Sequence, residues 1–277
     1  MRYAGGMPQP NPQPGSRFWR DASLPFIEAR TVGDGRKLCY GRHAHETFSI
    51  GAIRAGRTDY LNRSSRQQVG PGTVVLMNPG DVHACNPIAD ETWSYRMLYV
   101  DRAWLADLQR EWGFHDFRPF AAAMSTAPAL YAGFNRFYDV LTADGADQLL
   151  RQCAAVDFFG LVQSSLDPAA IVEREANRKL DRAADYIRDH CAAALKLEDI
   201  CGAAGLSPSY LIRAFRKRYG MTPHAYLLNR RIQLARGLLK GGAAIADVAL
   251  ATGFADQAHF QRTFKQLLAA TPGQYLR

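Results

Sequence analysis

The sequence predicts an α+β chain of two domains. The N-terminal half reads as a small β-barrel or sandwich followed by helices. The C-terminal part reads as an all-α domain with two helix-turn-helix units. Three observations predict this. Hydrophobic periodicity changes from two to about 3.6 near residue 101. A segment near residue 200 recurs near residue 248. Positive charge is also segregated. Residues 178–277 hold 16 Lys+Arg against 7 Asp+Glu, while the whole chain of 277 residues has a net charge of +8, so the excess lies entirely in that last part. A basic domain attached to a near-neutral one points to a polyanionic partner, most simply nucleic acid.

Met1 to Ser16 contains Pro8, Pro10, Pro12 and Pro14 among glycines and glutamines. It has no apolar centre, so it does not read as a secretion signal. Residues 1–17 are expected to form a disordered tail. No apolar run approaches the ~18 residues that span a bilayer, and a cytoplasmic protein without a membrane partner is expected. The five cysteines lack CxxC spacing and read as reduced thiols.

From 18 to 101, short runs such as Thr47–Ile53 and Thr73–Met77 are separated by turn residues, including Gly70-Pro-Gly72 and Asn78-Pro-Gly-Asp81. Trp93, Tyr95, Met97 and Tyr99 alternate onto one strand face. His43-Ala-His45 places two imidazoles on the same side of an extended chain. Pro79-Gly-Asp-Val-His83 follows. On these residues the region resembles a cupin, in which an HxH strand and a later PGxxH-type segment face one cavity. Cupin metal sets usually add a Glu a few residues after HxH; Glu46 stands too close, on the face opposite His45. Three histidines alone could still hold a divalent metal, but ligand hydrogen bonding or a structural role is favoured, so no metal is assigned and no cofactor expected.

From 102 to 166 the spacing is helical. Trp104, Leu105, Leu108 and Trp112 form one stripe, and Leu130, Phe134, Phe137, Tyr138 and Leu141 a second. Leu149, Cys153, Val156, Phe159 and Val162 form a third, suited to covering the barrel or pairing with a second copy in a homodimer. Residues 167–177 are the expected linker.

The domain at 178–277 opens with Leu180, Ala183, Ala184 and Ile187 on one helical face. Ile200, Ala203 and Gly205 match Val248, Ala251 and Gly253. Leu211, Arg213, Phe215, Thr222, Pro223 and Tyr226 match Phe260, Arg262, Phe264, Thr271, Pro272 and Tyr275, with one extra residue in the second turn. Ser207 and Asp256 read as N-caps, and Pro223 to Lys240 as the long helix that spaces the two copies.

Gly253 to Lys265 with Thr271-Pro-Gly-Gln-Tyr275 is similar to the signature of the AraC/XylS transcription regulators, a resemblance covering about 178–277. The cupin-like half resembles the effector-binding domain often attached to it. The resemblance implies two helix-turn-helix units set into successive major-groove segments of double-stranded DNA. By family position, base contacts fall to Ser209, Ile212, Arg213, Gln257, Gln261 and Arg262. Lys217, Arg218, Arg230, Arg231 and Lys265 are candidate phosphate contacts. His43, His45, His83, Trp93 and Tyr95 are candidate contacts to a small-molecule effector. RNA polymerase is a further candidate partner, as activator or repressor. The expected function is a sequence-specific, effector-responsive regulator with no catalytic residues. The alternatives are a metal-dependent cupin enzyme fused to a DNA-binding domain, and a redox-sensing regulator using Cys85 and Cys39.

Overall fold

The computed structural model describes residues 15–88, 91–166 and 178–276. Most of the expected tail and the whole expected linker lie outside these residues. Ser16 and Arg17, placed in the tail by composition, instead belong to the first strand, where they pair with Val32 and Thr31.

Among the described residues, nine strands form two sheets. In chain order they are β1 (Ser16–Trp19), β2 (Ile27–Val32), β3 (Phe48–Ala55), β4 (Thr58–Asn62), β5 (Ser65–Val69), β6 (Val74–Met77), β7 (His83–Pro87), β8 (Ser94–Val100) and β9 (Met124–Ser125). One sheet has the order β1-β2-β8-β3-β6-β9 and the other β5-β4-β7. The β half is thus two sheets face to face, the sandwich form of the barrel or sandwich expected, and not closed into a continuous barrel. The chain changes sheets at Gly56. Its φ is +66° and a Cβ would lie on the Thr92 carbonyl, so only glycine fits this corner.

The two faces of the larger sheet do different work. Ile27, Phe48, Ile50, Leu98 and Val100 pack with α1 (Arg102–Glu111), α2 (Pro128–Thr142) and α3 (Gln148–Ser165). Ile53, Val75, Met77, Trp93, Tyr95, Met97 and Tyr99 form a second cluster between the sheets. The stripes expected on α1 and α2 are the buried ones, apart from the half-buried Trp104 and Trp112. That on α3 is not. Its core residues are Ala155, Phe158, Phe159 and Val162, whereas Leu149 is 67% exposed, Val156 43% exposed and Cys153 exposed. The helix is apolar nearly all round, so two overlapping stripes share Phe159 and Val162, and packing chooses between them.

The C-terminal domain contains α4 (Arg178–Asp189), α5 (Leu197–Ala204), α6 (Pro208–Tyr219), α7 (Pro223–Lys240), α8 (Ile245–Ala251), α9 (Gln257–Leu268) and α10 (Pro272–Tyr275). The duplication yields two small cores. Leu180, Ala183, Ile187, Ile200, Leu211 and Phe215 fill the first; Ile232, Val248, Phe254, Phe260, Phe264 and Tyr275 fill the second. Gly205 and Gly253 form the matched turns with φ of 62° and 80°. At Gly253 a Cβ would stand 2.4 Å from the Ala192 carbonyl oxygen, so a side chain is excluded by contact as well as by conformation. Asp256 caps α9 through the His259 amide at 2.6 Å, and Thr222 caps α7 through Ala225. Ser207 occupies the N-cap position of α6, but its side chain makes no capping bond.

The two halves meet along α7. Asn229, Gln233, Arg236 and Lys240 recur at helical spacing and all reach the β half. The Asn229 amide and the Ala44 backbone exchange two hydrogen bonds, at 3.3 and 3.2 Å, and Gln233 donates to the Ala44 carbonyl at 3.2 Å. Arg236 and Lys240 close on Glu28 at 3.3 and 2.6 Å, and Arg20, the residue after β1, approaches it at 2.8 Å. Arg30, 1% exposed, donates to the carbonyls of Leu268 and Ala269 at the end of α9.

Candidate functional site

Two sites follow from this arrangement. The first is the outer surface of α6 and α9. Burying Leu211 and Phe215 on α6, and Phe260 and Phe264 on α9, turns the opposite faces to solvent. Ser209, Ile212 and Arg213 are exposed on one helix, and Gln257, Gln261 and Arg262 on the other. Arg213 and Arg262 occupy matching positions, and neither has a hydrogen bond or ion pair among the described residues. Both guanidiniums are therefore available to a partner. His259 is half-buried and sets its ring edge-on to Phe254, an internal contact.

The expected phosphate contacts separate into groups. Lys217 and Lys265 are exposed at the flanks of this surface. Arg218 is partly turned inward, paired with Asp181 at 2.5 Å. Arg230 is paired with Glu46 across the domain junction. Arg231 is the clear departure. It is buried, and donates to the carbonyls of Cys191 and Ala193 at 2.8 Å each, closing the end of the turn after α4. It holds the domain together and does not face outward.

The second site lies between the sheets. His43, His45, His83, Trp93 and Tyr95, widely separated in sequence, line one cavity with Tyr40, Met97 and Tyr99. His43 and His83 exchange two backbone hydrogen bonds at 3.1 and 2.9 Å, which sets them opposite each other. Alternation along the chain brings His45 to the same side. The three ring centroids lie 4.4 to 4.9 Å apart. The volume left free is only about 30 Å³, room for a water-sized occupant.

Burial lowers the pKa of His43 and His45 well below the usual imidazole value, and neighbouring rings push the same way. Burial also lowers His83, to about 4, against the Asp81 carbonyl, which raises it. All three rings are therefore neutral at pH 7. Burial pushes the Cys85 thiol up to about 12. That speaks against the alternative of a redox sensor at Cys85, because the thiolate is the reactive form. His45 also borders a larger cleft between the domains, about 1030 Å³, walled by Asp81, Arg188, Tyr219, Asn229 and Arg230 among others.

The α7 stripe is what sequence reading missed. Asn229, Gln233, Arg236 and Lys240 carry their own signal, since a polar stripe on one side of an otherwise buried helix needs partners. The sequence does not say that these partners belong to the other domain.

Paired helix-turn-helix units, whose outer helices carry the matched Arg213 and Arg262 without a partner among the described residues, define a DNA-binding protein, and the β half with its cavity beside them is suited to bind a ligand. Comparison with known proteins agrees. Residues 200–277 match the family model described as a helix-turn-helix domain, and residues 28–158 match the AraC-like ligand binding domain. The chain belongs to the AraC/XylS family of DNA-binding transcription regulators with a ligand-binding domain. It is 26% identical over 233 residues to the uncharacterized HTH-type transcriptional regulator YbfI of Bacillus subtilis, covering 79% of this chain and 81% of that one. It is 28% identical over 233 residues to the arabinose operon regulatory protein of Salmonella typhimurium, covering 78% of each. Its fold is similar to that of ToxT from Vibrio cholerae in a structure with an unsaturated fatty acid bound. That match has a TM-score of 0.59 at 16% identity, over 91% of this chain and 95% of that one. No described helix is long and apolar enough to cross a membrane.

Proposed function

We propose that α6 and α9 read base edges in two successive major-groove segments. Arg213 and Arg262 would pair with guanine and Gln257 or Gln261 with adenine, while Ile212 and Ser209 make closer, less polar contact. The observation that carries this reading is the freedom of the two matched arginines from any internal partner among the described residues. Lys217 and Lys265 then position the protein on phosphates. Arg218 joins them only if it leaves Asp181, and Arg231 has no part in binding.

Lys217→Ala is expected to weaken binding to a selected duplex and to random duplex alike, and to lower the slope of log affinity against log salt by about 0.9. Full-length protein and fluorescence anisotropy at several salt concentrations would measure this. A loss confined to the selected duplex would show that Lys217 reads bases. If the full chain, tested at low salt, enriched no sequence from a random library, the base-reading assignment would fail.

The regulator is a binder and not a catalyst, and acts in the cytoplasm. Its effector acts at His43, His45, His83, Trp93 and Tyr95. An organic effector larger than the free volume of that cavity has room in the adjoining cleft. The signal passes to the DNA-binding half through α7, which touches the segment carrying His43 and His45. Whether a bound operator favours or blocks RNA polymerase depends on where it lies in the promoter.

The exposed Leu149, Leu150 and Val156 on α3 support a homodimer formed by this helix and its twin. Val156→Glu is expected to convert the dimer to monomer in analytical ultracentrifugation. An unchanged sedimentation coefficient would place the dimer contact elsewhere or remove it.

A further inference from the structure

The cavity of the sensing half has an unusual pairing of features: three imidazoles converge in it and almost no space remains. One ring nitrogen from each of His43, His45 and His83 lies within 4.8 Å of the other two. Two of the rings have a fixed tautomer. Nδ1 of His43 sits 2.8 Å from the Gly41 carbonyl oxygen, and Nδ1 of His83 sits 2.9 Å from that of Asp81. A carbonyl oxygen only accepts, so both Nδ1 atoms carry the proton and both Nε2 atoms present lone pairs. His45 adds a buried Nδ1 with no hydrogen-bond partner. The Nε2 lone pairs of His43 and His83 receive no hydrogen bond among the described residues and cannot satisfy each other, since neither carries a proton.

The structure assigns to His43, His45 and His83 a divalent late first-row metal ion, of the zinc or nickel type, as the ligand of the sensing cavity. This rests on the reading of that cavity as the effector site. It goes beyond the sequence expectation, which left a metal open but favoured other roles for want of a glutamate. Three imidazole nitrogens suit such ions better than they suit magnesium or calcium, which prefer oxygen. The Gly41 and Asp81 carbonyls orient the ligand rings, as outer-shell partners do in known imidazole sites. No carboxylate is needed, because a fourth position can be taken by water. The space matches an ion and poorly matches a sugar or an aromatic acid. The cleft beside His45 gives a route of entry.

The same segment supplies the readout. Ala44 lies between the two histidines and is not paired in a named strand. Its N–H and C=O are instead bonded to Asn229, with Gln233 on the same carbonyl. Metal–nitrogen bonds of ~2.0–2.1 Å bring three tetrahedral ligands to about 3.4 Å from one another. That is closer than the 4.8 Å limit found here. Drawing the rings inward displaces Ala44, and with it the grip on the helix that joins the two DNA-reading units.

The test uses tag-free full-length protein stripped with EDTA and returned to metal-free buffer. Zinc and nickel are titrated separately by calorimetry and counted by elemental analysis after desalting. One ion per chain is expected, with affinity falling at least about tenfold in His45→Gln and His83→Gln, while circular dichroism shows both variants folded. Binding of less than a tenth of an ion per chain, or full binding in both variants, overturns the site. In parallel, affinity for a duplex selected from a random library by the full chain is compared with metal and with EDTA. A ratio of at least about fivefold is expected. Asn229→Ala should bring the ratio near one while still binding one ion. A ratio of one in the unmodified protein overturns the coupling. A chain that selects no duplex in either state overturns the DNA-binding reading alone, since the metal count still decides the site.

Discussion

Glu28→Ala is expected to lower the stability of the folded two-domain protein by about 3–5 kcal/mol at pH 7, the largest effect anticipated for any single substitution here. Glu28 is only 4% exposed and receives Arg20, Arg236 and Lys240. Removing it leaves Arg236, itself 8% exposed, with Tyr275 and Gln233 but no counter-ion. Lys240 is exposed enough to turn to water, so the loss falls mostly on Arg236 and Arg20. Burial by itself raises the Glu28 carboxyl, but the three cations more than reverse this and hold it at about 2. Its folded pKa therefore lies below its unfolded value, so the contribution is complete above pH 4.5 and is lost as pH falls from about 4.5 toward about 2. Urea unfolding of both proteins at pH 7 and at pH 3 measures it. The gap between them should narrow at pH 3, and an equal gap at both pH values would show that the carboxylate charge is not the cause.

Arg262→Ala is expected to reduce affinity for the selected duplex by about 1–3 kcal/mol, roughly five- to 150-fold, and to relax the preference at one base-pair position. Affinity for random duplex should change little, because a base-reading contact adds nothing there. The exposed position of Arg262 and its lack of any internal partner among the described residues mean that the substitution should leave the fold intact. Competition assays with single-base variants of the selected duplex make the measurement. Equal losses on selected and random DNA would reassign Arg262 to the phosphate backbone. The same comparison on Arg213 tests the first unit, where Ile212 stands beside the arginine in place of a second amide-bearing side chain.

Much of the C-terminal domain was legible because its signals are local. A Thr-Pro pair starts α7 and another starts α10; glycines that accept positive φ make the turns. Leu211, Phe215, Phe260 and Phe264 recur at a spacing that only one helix face can satisfy. The HxH and PGDVH segments likewise told which side chains would share a space, since alternation along an extended chain is a local rule. Adjacent positions on one helix were harder. Arg230 and Arg231 are indistinguishable by type, but a turn of about 100° per residue sends one to Glu46 and the other into the carbonyls of Cys191 and Ala193. On α3, apolar residues nearly encircle the helix, so the sequence offered more than one stripe and the sheet beneath it selected one.

The sequence by itself determined the two domains, the duplicated frame, the outward faces of α6 and α9 and the group of histidines. Each depends on periodicity, turn chemistry or matched spacing within a few dozen residues. Only the tertiary structure decided that Asn229, Gln233, Arg236 and Lys240 of the long helix clasp Ala44 and Glu28, about two hundred positions earlier in the chain. It also decided that three imidazoles, from two separate segments, close on one small cavity. A hydrogen bond or an ion pair requires a few ångströms and an orientation, and no local pattern records how two separately folded surfaces will meet.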